Sequence, residues 1–325
     1  MNSLALDCKT RSEQTESCVT AYGIGIYNGP SDDCNQSVNI HEVALWGTRG
    51  SIPRSGQAFQ HYGGATSCVE LIDDTGSLIF DAGSGIVEAG DVALARGQRT
   101  FHVLLSHLHF DHIMGLPFFQ PLWRSDCTVN LYVGNLWPQR LSDALHDLMR
   151  APFFPVTPDA FRCTLNTHDF QAGETLCVAG VTVRTLGLTH PQGSTGFRAQ
   201  CPGGDLCYIT DIEPDAAMQT RLEAFVRGAS AMLYDCTFDE DEFQPDHGHS
   251  TWQKCLEVAA NAGVLMPVIY HHHPRADDAA MDRIATAAHR INPNVCVARD
   301  GMRWALQSEQ AAGQYVQGFT RSRVG

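Results

Sequence analysis

A heptapeptide in the first half of the chain contains four side chains of the kinds that bind metal ions. It reads SHLHFDH over residues 106–112, and it offers His107, His109, Asp111 and His112. The apolar residues before it predict a strand, and the glycine and proline after it predict a turn. An extended segment directs His107 and His109 to the same side. Because buried charges must be compensated, and a divalent cation compensates several ligands at once, the heptapeptide predicts a metal site rather than surface decoration.

Three later segments with strand character each end on a residue of the same kind. His190 follows VTVRTLGLT, Asp211 follows DLCYIT, and His271 follows LMPVIY as the first of three consecutive histidines. A short apolar strand that delivers one ligand at its tip repeats the arrangement of the heptapeptide. Each residue alone fits a structural role, but together with the heptapeptide they form a pattern of potential metal ligands at strand ends.

Asp81 ends another strand-like segment, SLIFDAG. If this strand neighbours the one before the heptapeptide, the carboxylate can hold the turn or a ligand imidazole from behind. The alternative is a helix N-cap before residues 83–89. The loop GTRGS, residues 47–51, also has two interpretations: exposed backbone amides that approach an anionic group, or a plain tight turn.

Composition limits the class of protein. The chain has 325 residues with 43% hydrophobic content, enough for one large domain or two small ones. It has no run of eighteen apolar residues and no export signal at its start, which predicts a cytoplasmic protein without a membrane partner. Its twelve cysteines are scattered without a C-x-x-C pair, so reduced, mostly buried thiols are expected.

Charge limits the partners. The chain carries 22 basic and 36 acidic residues, a formal net charge of -14, and it has no run of lysine or arginine. Binding of a long nucleic acid depends on many cationic contacts to phosphates, so such a partner is disfavoured. A small anionic substrate held by metal remains allowed.

The chain divides into three parts. Residues 1–40 are polar, and no chemical function is assigned to them. Residues 41–307 are predicted to form one hydrolase domain, and residues 308–325 a tail. Within the domain, short strands with glycine and aspartate turns begin near Val43. Helices are predicted at residues 140–150, from a Ser250 cap to Gly263, and from Asp277 to Ile291.

Seven ordered motifs give the chain a family resemblance from about Val43 to Trp304. They are GTRGS, FDAG, SHLHFDH, the His190 loop, Asp211, YDCTF with GHST, and the histidine-ended strand before Pro274. They resemble the metallo-beta-lactamase superfamily of metallohydrolases, in the branch that holds ribonuclease Z and small-molecule phosphodiesterases. The resemblance implies an α/β fold, an αββα sandwich of two mixed β-sheets flanked by helices.

The resemblance also implies a ligand set for two divalent metal ions. His107, His109 and His190 would hold one ion, Asp111, His112 and His271 the second, and Asp211 would bridge them. His272 is the alternative if the last ligand is shifted by one residue. Imidazole and carboxylate ligands suit zinc first, with manganese or iron as alternatives.

By the same resemblance, Asp235 and His249 would act with Asp111 in catalysis. His249 matches a histidine that contacts the scissile phosphate, and Asp235 matches the acidic residue beside it. A carboxylate that fixes the imidazole would let it bind a phosphoryl oxygen or protonate the leaving alkoxide. The alternative is that the pair only holds a loop, and His247 is a weaker substitute for His249.

The predicted function is hydrolysis of a small phosphodiester, such as a cyclic nucleotide or a cyclic sugar phosphate, by metal-bound hydroxide. The alternatives are a thioesterase, lactonase or beta-lactamase, a ribonuclease Z-like endonuclease that processes tRNA, and a non-hydrolytic diiron redox protein. In redox relatives a glutamate commonly replaces the second histidine of the first motif, where this chain has His109. The resemblance also implies a homodimer.

Overall fold

The computed structural model describes residues 40, 42–73, 76–135 and 139–306. The predicted N-terminal extension, apart from Ile40, and the predicted tail from residue 308 lie outside these residues. The described part forms two seven-stranded sheets. Their inner faces share one hydrophobic core, so the sheets pack face to face.

The first sheet comes from the N-terminal half of the chain and one late strand. Its strands are β1 (Glu42–Gly47), β2 (Cys68–Ile72), β3 (Ser77–Phe80), β4 (Thr100–Leu105), β5 (Thr128–Gly134), β6 (Thr164–Phe170) and β14 (Arg303–Trp304). The spatial order is β14-β1-β2-β3-β4-β5-β6. Strands β3 to β6 pair in parallel. The carboxyl ends of these four strands therefore lie at one edge of the sheet.

The second sheet repeats this organisation. Its strands are β7 (Thr175–Val178), β8 (Val181–Leu188), β9 (Ser194–Gln200), β10 (Leu206–Ile209), β11 (Ala231–Asp235), β12 (Met266–Tyr270) and β13 (Cys296–Val297). The order is β13-β12-β11-β10-β9-β8-β7. Strands β10 to β13 pair in parallel. Their carboxyl ends likewise share one edge.

Helices cover the outer face of each sheet. They are α1 (Ile86–Ala95), α2 (Phe110–Ile113), α3 (Leu141–Leu148), α4 (Ala216–Val226), α5 (Trp252–Ala262) and α6 (Asp278–Ile291). One apolar cluster joins the first sheet to α1 and α3, and another joins the second sheet to α4, α5 and α6. The four layers are therefore helix, sheet, sheet, helix, and the predicted αββα sandwich of two mixed sheets is confirmed.

Local sequence explains where the helices begin and end. Asp215 and Asp277 cap α4 and α6 by accepting hydrogen bonds from backbone amides three residues on. Gly263 ends α5 in the left-handed conformation, with φ 68°. The predicted Ser250 cap of α5 is wrong by one residue, because Thr251 caps the helix. The Ser250 hydroxyl contacts the Tyr234 hydroxyl instead.

An aromatic stack joins the two sheets beneath the edge where the parallel strands end. The ring of Phe80 in the first sheet stacks on Phe197 and Tyr208 of the second, with centroid distances of 5.4 Å in both pairs. The Tyr208 hydroxyl then donates to Asp81, the residue that follows β3, at 2.7 Å. Apolar packing and a buried hydrogen bond together fix the sheets against each other.

The expectation of reduced, mostly buried thiols is confirmed for most cysteines of the described residues and is wrong for one. Eight cysteines of the described residues are free, but Cys177 in β7 is disulfide-bonded. Scattered single cysteines give no pairing signal in a sequence, so the disulfide was not predicted. Among the described residues, no helix combines the length and the apolar character needed to cross a bilayer.

Candidate metal centre and active site

The candidate site lies where the carboxyl ends of the parallel strands of both sheets meet. In the first sheet, Asp81 follows β3 and the heptapeptide follows β4; in the second sheet, Asp211 follows β10, Asp235 ends β11 and His271 follows β12. Asp81, Asp211 and His271 all adopt left-handed backbone conformations, with φ of 60°, 55° and 56°. This conformation is costly for residues other than glycine and is concentrated at functional sites.

Three histidines form one group of potential ligands. The nearest ring nitrogens of His107, His109 and His190 all lie within 4.8 Å of one another. His190 Nε2 is 3.0 Å from His109 Nδ1. The structure thus brings together the histidines that the sequence assigned to one ion, two from the heptapeptide and one from the loop after β8.

A second group lies beside the first and includes a carboxylate. His112 Nε2 and His271 Nε2 are each 3.3 Å from Asp111 Oδ2. All three side chains are nearly inaccessible to solvent. His272, the alternative ligand, points away from this group, because its Nε2 donates to the Ala298 carbonyl at 2.8 Å. Of the two neighbours, His271 is therefore the one that joins the cluster.

Asp211 lies between the two groups. Its Oδ1 is 3.8 Å from His107 Nε2 and 3.7 Å from His190 Nε2. Its Oδ2 is 3.1 Å from His112 Nε2 and 3.4 Å from His271 Nε2. Each carboxylate oxygen therefore faces a different group, which is the arrangement expected of a bridging ligand.

Hydrogen bonds outside the cluster fix which ring nitrogen faces inward. Four histidines have an acceptor for their Nδ1 proton, which leaves Nε2 as the inner nitrogen: His107 at Ser106 Oγ, His112 at Asp81, His190 at the Gly248 carbonyl and His271 at Thr237 Oγ1. His109 is turned the other way, because its Nε2 donates to Gln192 Oε1 at 2.9 Å. Such outer partners set the tautomer and orientation of metal-ligating imidazoles.

The donor set fits divalent metal ions. His107 Nε2 and His112 Nε2 are buried and have no hydrogen-bond partner, which is costly unless a cation accepts their lone pairs. Burial alone would raise the pKa of Asp211, but protonated rings of His271 and His112 outweigh burial and hold that pKa well below its ordinary value, so without a cation these rings would have to carry the positive charge themselves. The anionic carboxylates require positive charge nearby. Five imidazoles with two carboxylates suit zinc and other first-row ions.

Asp235 and His249 form a hydrogen-bonded pair at the side of the cluster. His249 Nδ1 donates to Asp235 Oδ2 at 2.9 Å. Asp235 is fully buried and also accepts hydrogen bonds from the Ile212 amide and from the amide and hydroxyl of Thr237. Burial lowers the pKa of His249, but the carboxylates of Asp235 and Asp211 together raise it by more, so the net shift is upward. The His249 side chain keeps 17% of its surface exposed, whereas Asp235 is inaccessible to solvent.

The loop that carries His249 is held against the cluster. Glu213 accepts hydrogen bonds from the backbone amides of Asp246 and Gly248, at 2.8 and 2.7 Å. Gly248 has φ 77°, and a Cβ on it would lie 2.5 Å from His190 Nδ1. Glycine is therefore required where the His249 loop meets His190. His247, the substitute for His249, is exposed, and its ring contacts Phe238.

The GTRGS loop closes the cluster from the side of the first sheet. The Ser51 amide donates to Asp111 Oδ2 at 2.6 Å. A Cβ on Gly50 would lie 2.5 Å from the His271 ring, so the backbone packs directly on that imidazole. The anionic group that the loop amides approach is thus a carboxylate of the chain itself.

Two partners of the cluster were not predicted. Thr237 donates to Asp235 and accepts from His271, and Gln192 accepts from His109. Thr237 and Gln192 each stand two residues after a predicted site residue. That spacing is the only sequence signal for them, and it is common in loops.

Asp81 supports the cluster from behind, as one of its two interpretations proposed. It accepts from the Ser106 amide and hydroxyl, from His112 Nδ1 and from Tyr208. The alternative is wrong: α1 begins at Ile86, so Asp81 caps no helix. Asp81→Asn is expected to weaken divalent metal binding by about 10–100-fold, because an amide nitrogen cannot accept these hydrogen bonds.

Competition with a chromophoric chelator measures that affinity. Asp126→Asn is the matched control, because Asp126 pairs with arginines at the surface. An Asp81→Asn protein that binds metal as tightly as the control contradicts the supporting role.

Removal of metal is expected to destabilise the fold. A ligand present at 1,000 times its Kd stabilises the native state by about 4 kcal/mol, and each kcal/mol shifts the melting temperature by about 2–4 °C in domains of 150–250 residues. We expect a chelator to lower the melting temperature by about 8 °C or more. Calorimetry before and after addition of zinc measures the change. A melting temperature that does not respond to either treatment contradicts the metal centre.

The αββα sandwich and this histidine–aspartate cluster at its edge define a class of metal-dependent hydrolases. Residues 77–273 match the beta-lactamase superfamily domain, and the chain belongs to this family. It is 31% identical over 297 residues to a ribonuclease Z of Halorubrum lacusprofundi, covering 76% of this chain and 91% of that protein. The predictions of the superfamily and of a metal-dependent hydrolase are thereby confirmed.

Solved structures agree with the fold. The metallo-beta-lactamase fold protein YhfI from Bacillus subtilis has a TM-score of 0.64 and 18% identity, and the match covers 82% of this chain and 99% of YhfI. A diphosphatase from the PhnP family has a TM-score of 0.60 and 17% identity, covering 81% of this chain and 97% of that one. At these identities the likeness concerns the fold.

Proposed function

We propose that this chain is a phosphodiesterase that acts on a small phosphodiester with two divalent ions, zinc in first place. His107, His109 and His190 would hold one ion, Asp111, His112 and His271 the other, and Asp211 would bridge them. When bound, such ions lower the pKa of a water molecule and offset negative charge on phosphoryl oxygens.

The observation that carries the proposal is the pair formed by Asp235 and His249. A hydrolase that cleaves thioesters or lactones needs the metal ligands but not this pair. The buried Asp235 carboxylate fixes the His249 ring through Nδ1, at 2.9 Å. The opposite nitrogen, Nε2, can then donate a hydrogen bond to a phosphoryl oxygen or a proton to the leaving alkoxide. Either contact would lower the energy of the transition state for cleavage of a phosphodiester.

The charge of the chain favours a small substrate. A formal net charge of -14 repels a polyanion at long range, whereas one phosphodiester can be offset locally by metal. Ribonuclease Z-like cleavage of tRNA precursors is the second candidate, and the 31% identity to a ribonuclease Z supports it. The two candidates share the chemical step and differ in the size of the substrate.

A substrate panel with metal-reconstituted protein tests the proposal. Bis(p-nitrophenyl) phosphate, cyclic nucleotides, cyclic sugar phosphates, precursor tRNA, a lactone and a thioester are compared by kcat/KM. Hydrolysis of the small diesters over the others supports the proposal. Preference for precursor tRNA favours the second candidate, and preference for the lactone or thioester overturns the proposal. If none of these compounds is hydrolysed and a bound diiron centre shows redox activity, the proposal is overturned in favour of a redox protein.

The proposal extends to the bound metal, the assembly and the compartment. We propose zinc as the native metal, a homodimer in solution and a cytoplasmic location. Elemental analysis of the purified protein tests the first, light scattering the second and cell fractionation the third. Manganese or iron in place of zinc would contradict the first statement, a monomer the second, and recovery outside the cytoplasm the third. Each result would leave the other two statements unaffected.

A further inference from the structure

A cavity of about 720 Å³ opens beside the candidate metal centre. It lies between the His190 loop, the first turns of α4 and α5, and the loop before His249. His190 and Gly248 are part of its wall. The cavity therefore adjoins both the first group of ligands and the residue next to His249. Its volume falls in the range of about 300–1,000 Å³ that is typical of small-molecule sites.

One wall of the cavity is aromatic. Phe243 lines it and is 39% exposed, so part of its ring is accessible to a ligand in the cavity. Its ring packs on Phe238 with a centroid distance of 6.3 Å, and Phe238 packs on His249 at 6.2 Å. The exposed ring is thus held at a fixed position relative to the imidazole proposed to meet the phosphate. A flat group joined to that phosphate can stack on Phe243.

The polar wall of the cavity is acidic. It contains the carboxylates of Glu213, Asp215, Glu240 and Asp246 and a single ammonium group, that of Lys254. Lys254 Nζ is 2.6 Å from Glu257, which offsets its charge. A ligand that carries a further phosphate would be repelled here, because like charges in a partly enclosed site raise its energy. The exposed carboxylates of Glu240 and Asp246 could accept hydrogen bonds from the amino groups of a heterocycle.

We propose that this cavity binds one ester substituent of the phosphodiester substrate, and that the substituent is a nucleoside without further phosphate groups. The inference rests on the proposed phosphodiesterase function and narrows its substrate class. Phe243 would stack on the base, Glu240 and Asp246 would accept its amino groups, and the acidic wall would exclude polyphosphates and chain-internal nucleotides.

Three diesters that all release p-nitrophenol test the proposal. They are methyl p-nitrophenyl phosphate, the p-nitrophenyl ester of deoxyadenosine 5′-phosphate, and the same nucleotide ester with a second phosphate on its 3′ oxygen. Stacking of a base on an aromatic side chain contributes substantially to affinity. We expect kcat/KM for the nucleoside ester to exceed that for the methyl ester by about 10-fold or more. The 3′-phosphate is expected to remove most of this preference.

Variants assign the preference to the cavity. Phe243→Ala is expected to lower the ratio of the nucleoside rate to the methyl rate by about 5–10-fold, and Phe243→Trp to retain it. Glu240→Lys with Asp246→Lys is expected to raise the relative rate for the 3′-phosphorylated ester. Ile291→Ala is the matched control, since Ile291 is 65% exposed at the distal end of α6. It should leave every ratio unchanged.

The readout separates this proposal from the one on which it rests. If no diester is hydrolysed, the phosphodiesterase function fails. If all three esters are hydrolysed at similar rates, the function stands and the cavity proposal is overturned. An equal loss for all substrates in Phe243→Ala, with an unchanged ratio, would show that Phe243 acts only through Phe238 and His249, which also overturns it.

Discussion

Asp211→Asn is expected to lower turnover of bis(p-nitrophenyl) phosphate by about 10³-fold or more and to reduce bound metal at the same time. The two Asp211 oxygens face different ligand groups, at 3.1–3.8 Å from the imidazole nitrogens of both. An amide removes the negative charge that both ligand groups share. A 10³-fold lower rate corresponds to a loss of about 4 kcal/mol of transition-state stabilisation. Steady-state kinetics and elemental analysis on the same preparation measure both effects.

Asp205→Asn is the matched control for this change. Asp205 lies just before the other end of β10 and pairs with Arg198 at 2.6 Å. It contacts none of the proposed ligands, so turnover and metal content are expected to match the unsubstituted protein. An Asp211→Asn protein that keeps two metal ions and a tenth or more of its turnover would refute the bridging assignment.

His249→Ala is expected to reduce turnover of a diester with an alkoxide leaving group, such as a cyclic nucleotide, by about 10²–10⁴-fold, the contribution of a well-placed general acid or base. Metal content is expected to change little, because His249 Nδ1 is hydrogen-bonded to Asp235 at 2.9 Å and is farther from Asp211, at 3.7 Å. Asp235→Asn should also reduce turnover, since a neutral amide no longer fixes the ring or favours its charged form. Kinetics with a substrate whose leaving group needs no protonation should show a smaller loss in both variants.

His247→Ala distinguishes the two histidines of this loop. His247 is exposed, two residues away, and it makes no hydrogen bond to Asp235. Its removal should leave turnover nearly intact. If His249→Ala loses metal and activity in equal measure, His249 belongs to the coordination sphere. Its ring nitrogen does lie with Asp211 and His190 within 4.8 Å, which makes that outcome a real test.

Much of the candidate site could be predicted because its proposed ligands stand at strand ends. A strand followed by a chemically distinctive residue is visible in a sequence, as with Asp211 after DLCYIT. Parallel pairing then brings the tips of β10, β11 and β12 to one edge without any further signal. The helix at residues 141–148 was predictable from its apolar periodicity, and the helix at residues 278–291 from its Asp277 cap.

The remainder of the site depends on orientations that sequence patterns do not encode. The choice between His271 and His272 depends on side-chain direction: His271 Nε2 faces Asp111 at 3.3 Å, whereas His272 Nε2 faces the Ala298 carbonyl at 2.8 Å. Thr237 acts in the site because its single hydroxyl reaches both Asp235 and His271. Ser250 and Thr251 both have hydroxyl groups that can cap α5. The Ser250 hydroxyl is hydrogen-bonded to Tyr234 instead, and Thr251 caps the helix.

The division of the site between two docked sheets has a consequence for any split form of the protein. The chain passes from β6 to β7 through residues 171–174. A fragment that ends there keeps the heptapeptide, and a fragment that begins there keeps Asp211, Asp235, His249 and His271. Neither fragment alone holds the complete set of proposed ligands. Hydrolytic activity is therefore expected only when the two fragments associate.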